Sequence, residues 1–191
     1  MIDTNAEHAN NTRQILPHRG IEMMNDSIFK THGVFIVACA LTFYTFGAGM
    51  IDNYVIYRTF AVVGENEFVA FRAVFTPLIV AFLVIPLILR SIFSVLLLWF
   101  RPKAVRLWHV WLFLLCQAVA WISTFTVQIP IQSELDKGKN PELIQQLMDS
   151  IWLRTAMTVS CAVIMLWMMC LIISSLTKKQ NNASNRKDFS E

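Results

Sequence analysis

The chain has few charged residues, and its long apolar runs contain no aspartate or glutamate. Only 15% of the 191 residues are charged, whereas soluble domains carry about 25%. Hydrophobic residues make up 55% of the sequence, and the mean hydropathy is +0.51. A soluble domain of this size would aggregate with so much uninterrupted apolar sequence, so the composition excludes that class of protein.

The sequence also lacks the residue patterns of two chemistries that small helical bundles perform. There is no CxxC pair, which excludes a thiol–disulfide relay of closely spaced cysteines. There is no ExxH pattern, so a ferritin-type di-iron site finds no support, and we predict no metal site. The four cysteines all lie inside apolar runs, where they are expected to act as small packing residues: Cys39, Cys116, Cys161 and Cys170.

Four apolar runs are present instead, at residues 34–51, 73–100, 105–127 and 155–173. A helical membrane span needs about 20 apolar residues, and each run is near or above that length. We therefore predict an all-α integral membrane protein, an up-down four-helix bundle formed by residues 27–177. Residues 1–26 are expected to be a flexible cytoplasmic segment, and residues 178–191 a disordered cytoplasmic tail.

Helices 2 and 4 are predicted to extend beyond the bilayer on the outer side. Residues 65–100 would form a helix of about 54 Å, against a hydrocarbon core of about 30 Å. Pro77 and Pro86 are expected to kink it. Asn140, Pro141 and Glu142 form a strong helix start, with a capping side chain, a proline at the first position and an acid in the first turn.

The distribution of Lys and Arg predicts that both termini are cytoplasmic. With four spans, the side of the termini carries twice as many basic residues as the opposite side. The first group is Arg13, Arg19, Lys30, Arg101, Lys103, Arg106, Lys178, Lys179, Arg186 and Lys187; the second is Arg58, Arg72, Lys137, Lys139 and Arg154. We expect the lipid bilayer as the main partner and no nucleic acid.

Arg90 is the one charged residue inside an apolar run that lies close to the middle of the membrane. It precedes Phe100 by ten residues, or about 15 Å along a helix. A charge at that depth is costly unless it reaches water or a polar partner. Two interpretations stay open: the side chain extends to the cytoplasmic headgroups, or it contacts a functional site inside the bundle.

A second group of polar residues follows one face of helix 3. At 100° per residue, Gln117, Thr124 and Gln128 lie within about 20° of one another. These side chains either form interhelical hydrogen bonds or line a pocket in the outer half of the bundle. For the pocket, we expect Arg154 as a further polar contact, Trp121 and Trp152 as apolar wall, and a polar rim of Asp52, Glu65, Glu67 and Gln132.

Two histidines support an alternative interpretation from another class of function. His32 and His109 lie at comparable depth near the inner ends of spans 1 and 3. Parallel helices of a bundle can hold a haem between such residues, which would make the protein an electron carrier. A third alternative is a structural or assembly subunit with no ligand. The oligomeric state and any cofactor are left open.

Three short motifs resemble those of four-span bacterial membrane proteins that are loosely related to the anthrone oxygenase-like family. A G-x-x-E-F stretch precedes span 2, a P-x-Q-x-x-L segment follows span 3, and a W-x-R-T stretch begins span 4. The matching residues are Gly64, Glu67 and Phe68; Pro130, Gln132 and Leu135; and Trp152, Arg154 and Thr155. The resemblance covers about residues 35–175. It implies a four-span fold in a bacterial inner membrane and an oxygenase-like activity.

From these observations we predict a membrane protein that binds a small lipophilic or amphiphilic molecule in the outer-half pocket. The residues expected to contact the molecule are Arg90, Gln117, Trp121, Thr124, Gln128, Gln132, Trp152 and Arg154. No general base, nucleophile or metal set is recognisable in the sequence, so whether the protein is an enzyme stays open.

Overall fold

The computed structural model describes residues 31–188, with side chains through residue 182, and these residues contain no β-strand. Four long helices account for almost all of them: α1 (Thr31–Val62), α2 (Glu65–Leu96), α3 (Leu107–Leu135) and α4 (Pro141–Asp188). Each is long and apolar enough to cross a membrane. The predicted all-α four-helix membrane bundle is confirmed. The predicted flexible segment 1–26 lies outside the described residues.

The four helices alternate in direction. Residues 63–64 join α1 to α2, and residues 136–140 join α3 to α4; we call the end with these connections the two-loop end. Residues 97–106 join α2 to α3 at the opposite end, which we call the terminal end because the described chain begins and ends there. Every helix therefore runs antiparallel to its neighbours in sequence, as an up-down bundle requires.

Polar groups at the two-loop end define where the helices begin and stop. The Asn140 side-chain oxygen accepts hydrogen bonds from the backbone N–H groups of Glu142 and Leu143, at 2.9 and 3.3 Å, so the predicted helix start is confirmed. Lys139 Nζ donates to the backbone oxygens of Ala61 and Val63 at 3.0 and 2.6 Å. These oxygens lie in the last turn of α1 and in the residue that directly follows it, where a cation is favourable.

Helix length exceeds what one membrane crossing needs. The 32 residues of α2 span about 48 Å, and the 48 residues of α4 about 72 Å, against a hydrocarbon core of about 30 Å. The structure differs from the sequence prediction at the tail, because α4 continues as helix through Asp188, whereas disorder was expected from Lys178. Residues 142–188 contain no glycine or proline that would stop the helix.

Three helices contain one turn that is wider than an α-turn. Backbone N–H groups bond the carbonyl five residues earlier: Tyr57 to Asp52, Ile85 to Val80 and Ile129 to Thr124. Two of these wide turns end two residues before a proline, Pro86 in α2 and Pro130 in α3. A proline cannot donate to the carbonyl four residues before it, so the helix has to adjust there.

The carbonyl freed by Pro86 is that of Phe82, four residues earlier. Tyr44 of α1 donates a hydrogen bond from its hydroxyl to this oxygen at 2.9 Å. In lipid a freed carbonyl needs a protein partner, and a neighbouring side chain provides it here. The wide turn before Pro86, where the sequence predicts a kink, is therefore also a point of contact between α1 and α2.

Buried apolar residues form two separate clusters, one toward each end of the bundle. The cluster at the two-loop end contains Tyr57, Phe60, Phe68, Ile131, Leu135, Ile144, Leu147 and Ile151. The cluster at the terminal end contains Phe35, Ala38, Leu97, Val105, Val110, Phe113, Cys161, Ile164, Met165 and Met168. Along each helix the residues between the two clusters include buried or half-buried polar side chains. This polar layer contains the candidate site.

Candidate functional site

A cavity of about 410 Å³ lies in the polar layer, and all four helices contribute to its wall. Its apolar residues come mostly from one face of α2, and its polar residues from all four helices. The wall consists of Thr45, Gly49, Met50, Asp52, Asn53, Tyr57, Arg72, Phe75, Thr76, Ile79, Val80, Leu83, Val84, Leu87, Arg90, Ala120, Trp121, Thr124, Gln128, Ile129, Gln132, Ser133, Asp136, Arg154 and Thr158.

The cavity includes residues of all three wide turns. Asp52 and Asn53 belong to the wide turn of α1, Val80, Leu83 and Val84 to that of α2, and Thr124 and Gln128 to that of α3. A wide turn adds a residue to one turn and changes which side chains face the interior, and such turns are frequent at functional sites. Three of them at one cavity mark this level as the irregular part of the bundle.

Three arginines line the cavity, and two of them are paired. Arg72 is 3% exposed; its Nη2 lies 2.5 Å from Asp136 Oδ1, and its Nη1 donates to Gln132 Oε1 at 2.5 Å. The same guanidinium lies over the rings of Phe60 and Phe75, with its carbon 5.2 and 5.7 Å from the ring centres. Arg72 is therefore held by charge, by hydrogen bonds and by two aromatic faces.

Arg154 is the second paired arginine. Its Nη2 lies 3.2 Å from Asp52 Oδ2 and 3.3 Å from the Tyr57 hydroxyl, and it also bonds Asn53 Oδ1. Asn53 in turn donates to the Thr155 hydroxyl at 2.9 Å. This network links the wide turn of α1 to α4 and compensates both charges, although Asp52 Oδ1 is buried with no hydrogen-bond partner.

Arg90 differs from the other two because no carboxylate accompanies it. It is 2% exposed, and within the described part of the chain it takes part in no ion pair. Its Nη1 donates to the Thr45 hydroxyl at 3.1 Å, while its Nε is buried with no hydrogen-bond partner. A charge at the centre of a membrane helix costs at least about 2.5–3.5 kcal/mol when it is not compensated. Arg90 therefore faces the bundle interior.

The wall of the cavity carries a formal positive charge. Its ionised residues are Arg72, Arg90 and Arg154 against Asp52 and Asp136, which leaves one positive charge uncompensated. Four buried polar atoms of wall residues have no hydrogen-bond partner: Asp52 Oδ1, Thr76 Oγ1, Arg90 Nε and Gln128 Nε2. Buried polar groups are normally paired, so this set requires an explanation.

Six of the eight residues predicted to contact a ligand line the cavity: Arg90, Trp121, Thr124, Gln128, Gln132 and Arg154. Gln117 does not; its side-chain nitrogen donates to the Ser91 hydroxyl at 2.5 Å, below the cavity on the terminal side. Trp152 does not either, because it is 70% exposed on the outer surface of α4. Of the predicted polar rim, Asp52 and Gln132 line the cavity, whereas Glu65 and Glu67 are exposed elsewhere.

Sequence reasoning missed Arg72 and Asp136. Arg72 was counted only as a basic residue of the outer side. One signal was available: Arg72 and Arg90 are 18 residues apart, which is five turns of an α-helix, so both fall on one face. Asp136 directly follows α3, and no sequence pattern links it to Arg72.

The two histidines do not line the cavity. His109 is 3% exposed and packs between Trp108 and Trp167, with ring centres 3.9 and 4.9 Å away. Its Nδ1 lies 3.2 Å from the Arg106 oxygen. His32 is exposed at the start of α1. Within the described residues, no three His, Cys, Asp or Glu side chains are grouped so that they could hold a metal ion.

Comparison of the chain with family models, with curated proteins and with solved structures finds no match. The resemblance to anthrone oxygenase-like proteins, and the activity that it implies, therefore stay predictions. Two residues of the motifs that carry the resemblance, Gln132 and Arg154, line the cavity.

Proposed function

We propose that the protein binds a small amphiphilic molecule, taken from the bilayer, in the cavity of the polar layer. The observation that carries the proposal is the cavity itself, about 410 Å³ inside a four-helix membrane bundle. Sites for small molecules have volumes of about 300–1,000 Å³, with a mostly apolar wall and a few polar groups that fix the orientation.

The wall fits a molecule with one apolar and one polar part. Ile79, Leu83 and Leu87 of α2 provide an apolar face, and Trp121 of α3 adds an aromatic one. The arginines and the unpartnered polar atoms provide the groups that a polar end would contact. A purely apolar ligand would leave these atoms without partners, and a purely polar one would not use the α2 face.

The cavity has its mouth between α2 and α3. Four of the wall residues are exposed, and all belong to these helices or directly follow them: Val80, Ile129, Ser133 and Asp136. The wall residues of α1 and α4 are buried or half-buried. This arrangement favours entry from the side of the bundle, where a molecule dissolved in lipid would arrive.

We further propose that the bundle lies in a bacterial inner membrane with both termini in the cytoplasm, which puts the cavity in the outer half. The excess of basic residues at the terminal end supports this orientation. In a variant without native cysteines, Lys137→Cys should react with an impermeant maleimide in intact cells, and Lys179→Cys only after permeabilisation. Reaction of both from the same side would contradict the topology.

A matched pair of glycines tests whether the cavity binds a ligand. Gly47 and Gly49 both lie on α1, and a Cβ atom added at either would meet no other atom within 4 Å. Only Gly49 lines the cavity. Gly49→Leu should fill part of the space and lower retention of a co-purifying molecule at least about tenfold, which corresponds to about 1.4 kcal/mol.

Native mass spectrometry of the purified protein, followed by extraction and identification of the bound molecule, measures this retention. Gly47→Leu is the control and should retain the molecule as the wild-type protein does. Wild-type protein that carries no molecule and binds none from bacterial lipid extract would contradict the proposal.

A further inference from the structure

We infer that the molecule bound in the cavity is a single-chain amphiphile with one negatively charged oxyanion group, a carboxylate or a sulfate, and that this group pairs with Arg90. The inference rests on the proposed function and deepens it, because it assigns the class of ligand and the residue that recognises it.

The ionised side chains of the cavity wall do not balance in charge. Asp136 compensates Arg72, and Asp52 compensates Arg154, at N–O distances of 2.5 and 3.2 Å. Arg90 has only the Thr45 hydroxyl, a neutral acceptor. One ligand group with a single negative charge would bring the wall and its contents to neutrality, which is the state that a low-dielectric interior favours.

The guanidinium of Arg90 has a donor group that no acceptor of the protein contacts. Nη1 of Arg90 is occupied by Thr45, whereas its Nε is buried and has no partner. Guanidinium and amide N–H groups are the donors that oxyanions prefer, and a guanidinium can donate to both oxygens of a carboxylate.

The volume of the cavity limits the size of the bound molecule. At about 410 Å³ it is near the lower end of the range for small-molecule sites, about 300–1,000 Å³. A single chain of about ten carbons with its head group is of this size, whereas a two-chain phospholipid is several times larger. The chain would lie along Ile79, Leu83 and Val84 of α2 and leave its end at the mouth beside Val80 and Ile129.

The experiment uses the full-length protein in nanodiscs of phosphatidylcholine, with empty nanodiscs as background. Radiolabelled decanoate is the probe, and unlabelled decanoate, decyl sulfate and 1-decanol are competitors with the same chain. Decanoate should bind saturably, decyl sulfate should displace it, and 1-decanol should displace it at least about tenfold less well, because it lacks the charge.

Arg90→Gln removes the charge and keeps amide donors, so it should weaken decanoate binding at least about tenfold. Arg90→Lys keeps the charge and should lose less affinity for decanoate than Arg90→Gln does. Arg58 is exposed on α1 and does not line the cavity, so Arg58→Gln is the matched control and should bind as the wild type does. Thermal unfolding of each variant shows whether it is folded.

Thr45→Val provides a second route if Arg90→Gln does not fold, since it removes the hydroxyl that positions Arg90 and leaves the charge. It should weaken decanoate binding severalfold and leave displacement by 1-decanol unchanged.

Two results separate this inference from the proposed function. If decanoate and 1-decanol bind equally well, and Gly49→Leu abolishes both, the cavity binds a ligand but the charge is not recognised, which overturns the inference alone. If folded wild-type protein does not bind decanoate saturably, the inference fails. Unchanged decanoate affinity in folded Arg90→Gln protein overturns it as well.

Discussion

The same substitution, arginine to leucine, should affect stability very differently at two positions of one cavity. Arg90 and Arg154 both line the wall, but only Arg154 has an aspartate partner. Removal of a buried cation that lacks a counter-charge relieves a cost, whereas removal of one member of a buried pair leaves the other charge uncompensated. The two variants therefore test whether the positive charge of the cavity is balanced.

The magnitude for Arg90 follows from two opposing contributions. An uncompensated charge at the centre of a membrane helix costs at least about 2.5–3.5 kcal/mol. The hydrogen bond to Thr45 offsets about 1.5–3 kcal/mol of that, as bonds to charged groups do. Thr45 is not left without a partner, because its hydroxyl also donates to the Leu41 oxygen at 2.8 Å. Arg90→Leu should therefore change the free energy of unfolding of the ligand-free protein by about −0.5 to +2 kcal/mol, where a positive value means greater stability.

Arg154→Leu should be strongly destabilising. The Asp52 side chain is 4% exposed and would lose the arginine that faces it. Breaking a buried pair in this way costs about 3–5 kcal/mol. In a protein of this size 1 kcal/mol corresponds to a shift of about 2–4 °C in Tm, so the loss should exceed about 6 °C.

Unfolding of the delipidated protein in mixed detergent micelles, followed by the fluorescence of its six tryptophans, compares the two variants directly. Ligand-free preparations are needed, since a bound anion would stabilise the wild type but not Arg90→Leu. If Arg90→Leu is destabilised as much as Arg154→Leu in these preparations, Arg90 is already compensated, and the charge argument is refuted.

Two further substitutions test contacts outside Arg90. Asp136→Asn should destabilise the protein by about 1–2 kcal/mol, because buried Arg72 loses its counter-charge while Asp136 itself is half exposed. The control is Glu134→Gln, which changes an exposed ion pair at the same end of α3 and should cost less than about 0.5 kcal/mol. Thermal unfolding measures both variants, and equal losses of stability would contradict the role of Arg72. Tyr44→Phe should lower the stability by about 1 kcal/mol in the same assay, since it leaves the Phe82 oxygen without its donor. An unchanged stability would show that this oxygen has another partner.

The fold could be predicted from the sequence because the bilayer allows few alternatives. Apolar runs of span length must form helices whose backbone groups bond within the segment, and four such runs form a bundle. The helix start at Asn140 was predictable from local chemistry, since its side chain reaches the next N–H groups. The continuation of α4 past Lys178 was not, because a polar composition typical of disorder also contains good helix formers.

The candidate site was predictable where a single helix carries the information. Thr124 and Gln128 lie on one face of α3, and helical periodicity placed them together. Trp152 was expected on the same wall as Arg154, but residues two apart on a helix point in different directions, and Trp152 faces outward. The pairs between helices, Arg72 with Asp136 and Arg154 with Asp52, depend on packing that no periodicity within one helix specifies.

The three wide turns support the interpretation that the cavity is a specific feature of the bundle. In α2 and α3 the wide turn precedes a proline, but in α1 the wide turn Asp52–Ile56 has none, so proline alone does not explain the three. All three wide turns contribute side chains to the wall of the cavity. Turns of this width are rare in helices and are frequent at functional sites. The same wall contains the two arginine–aspartate pairs and Arg90, which has no ion-pair partner among the described residues, so the irregular backbone and the uncompensated charge belong to one cavity.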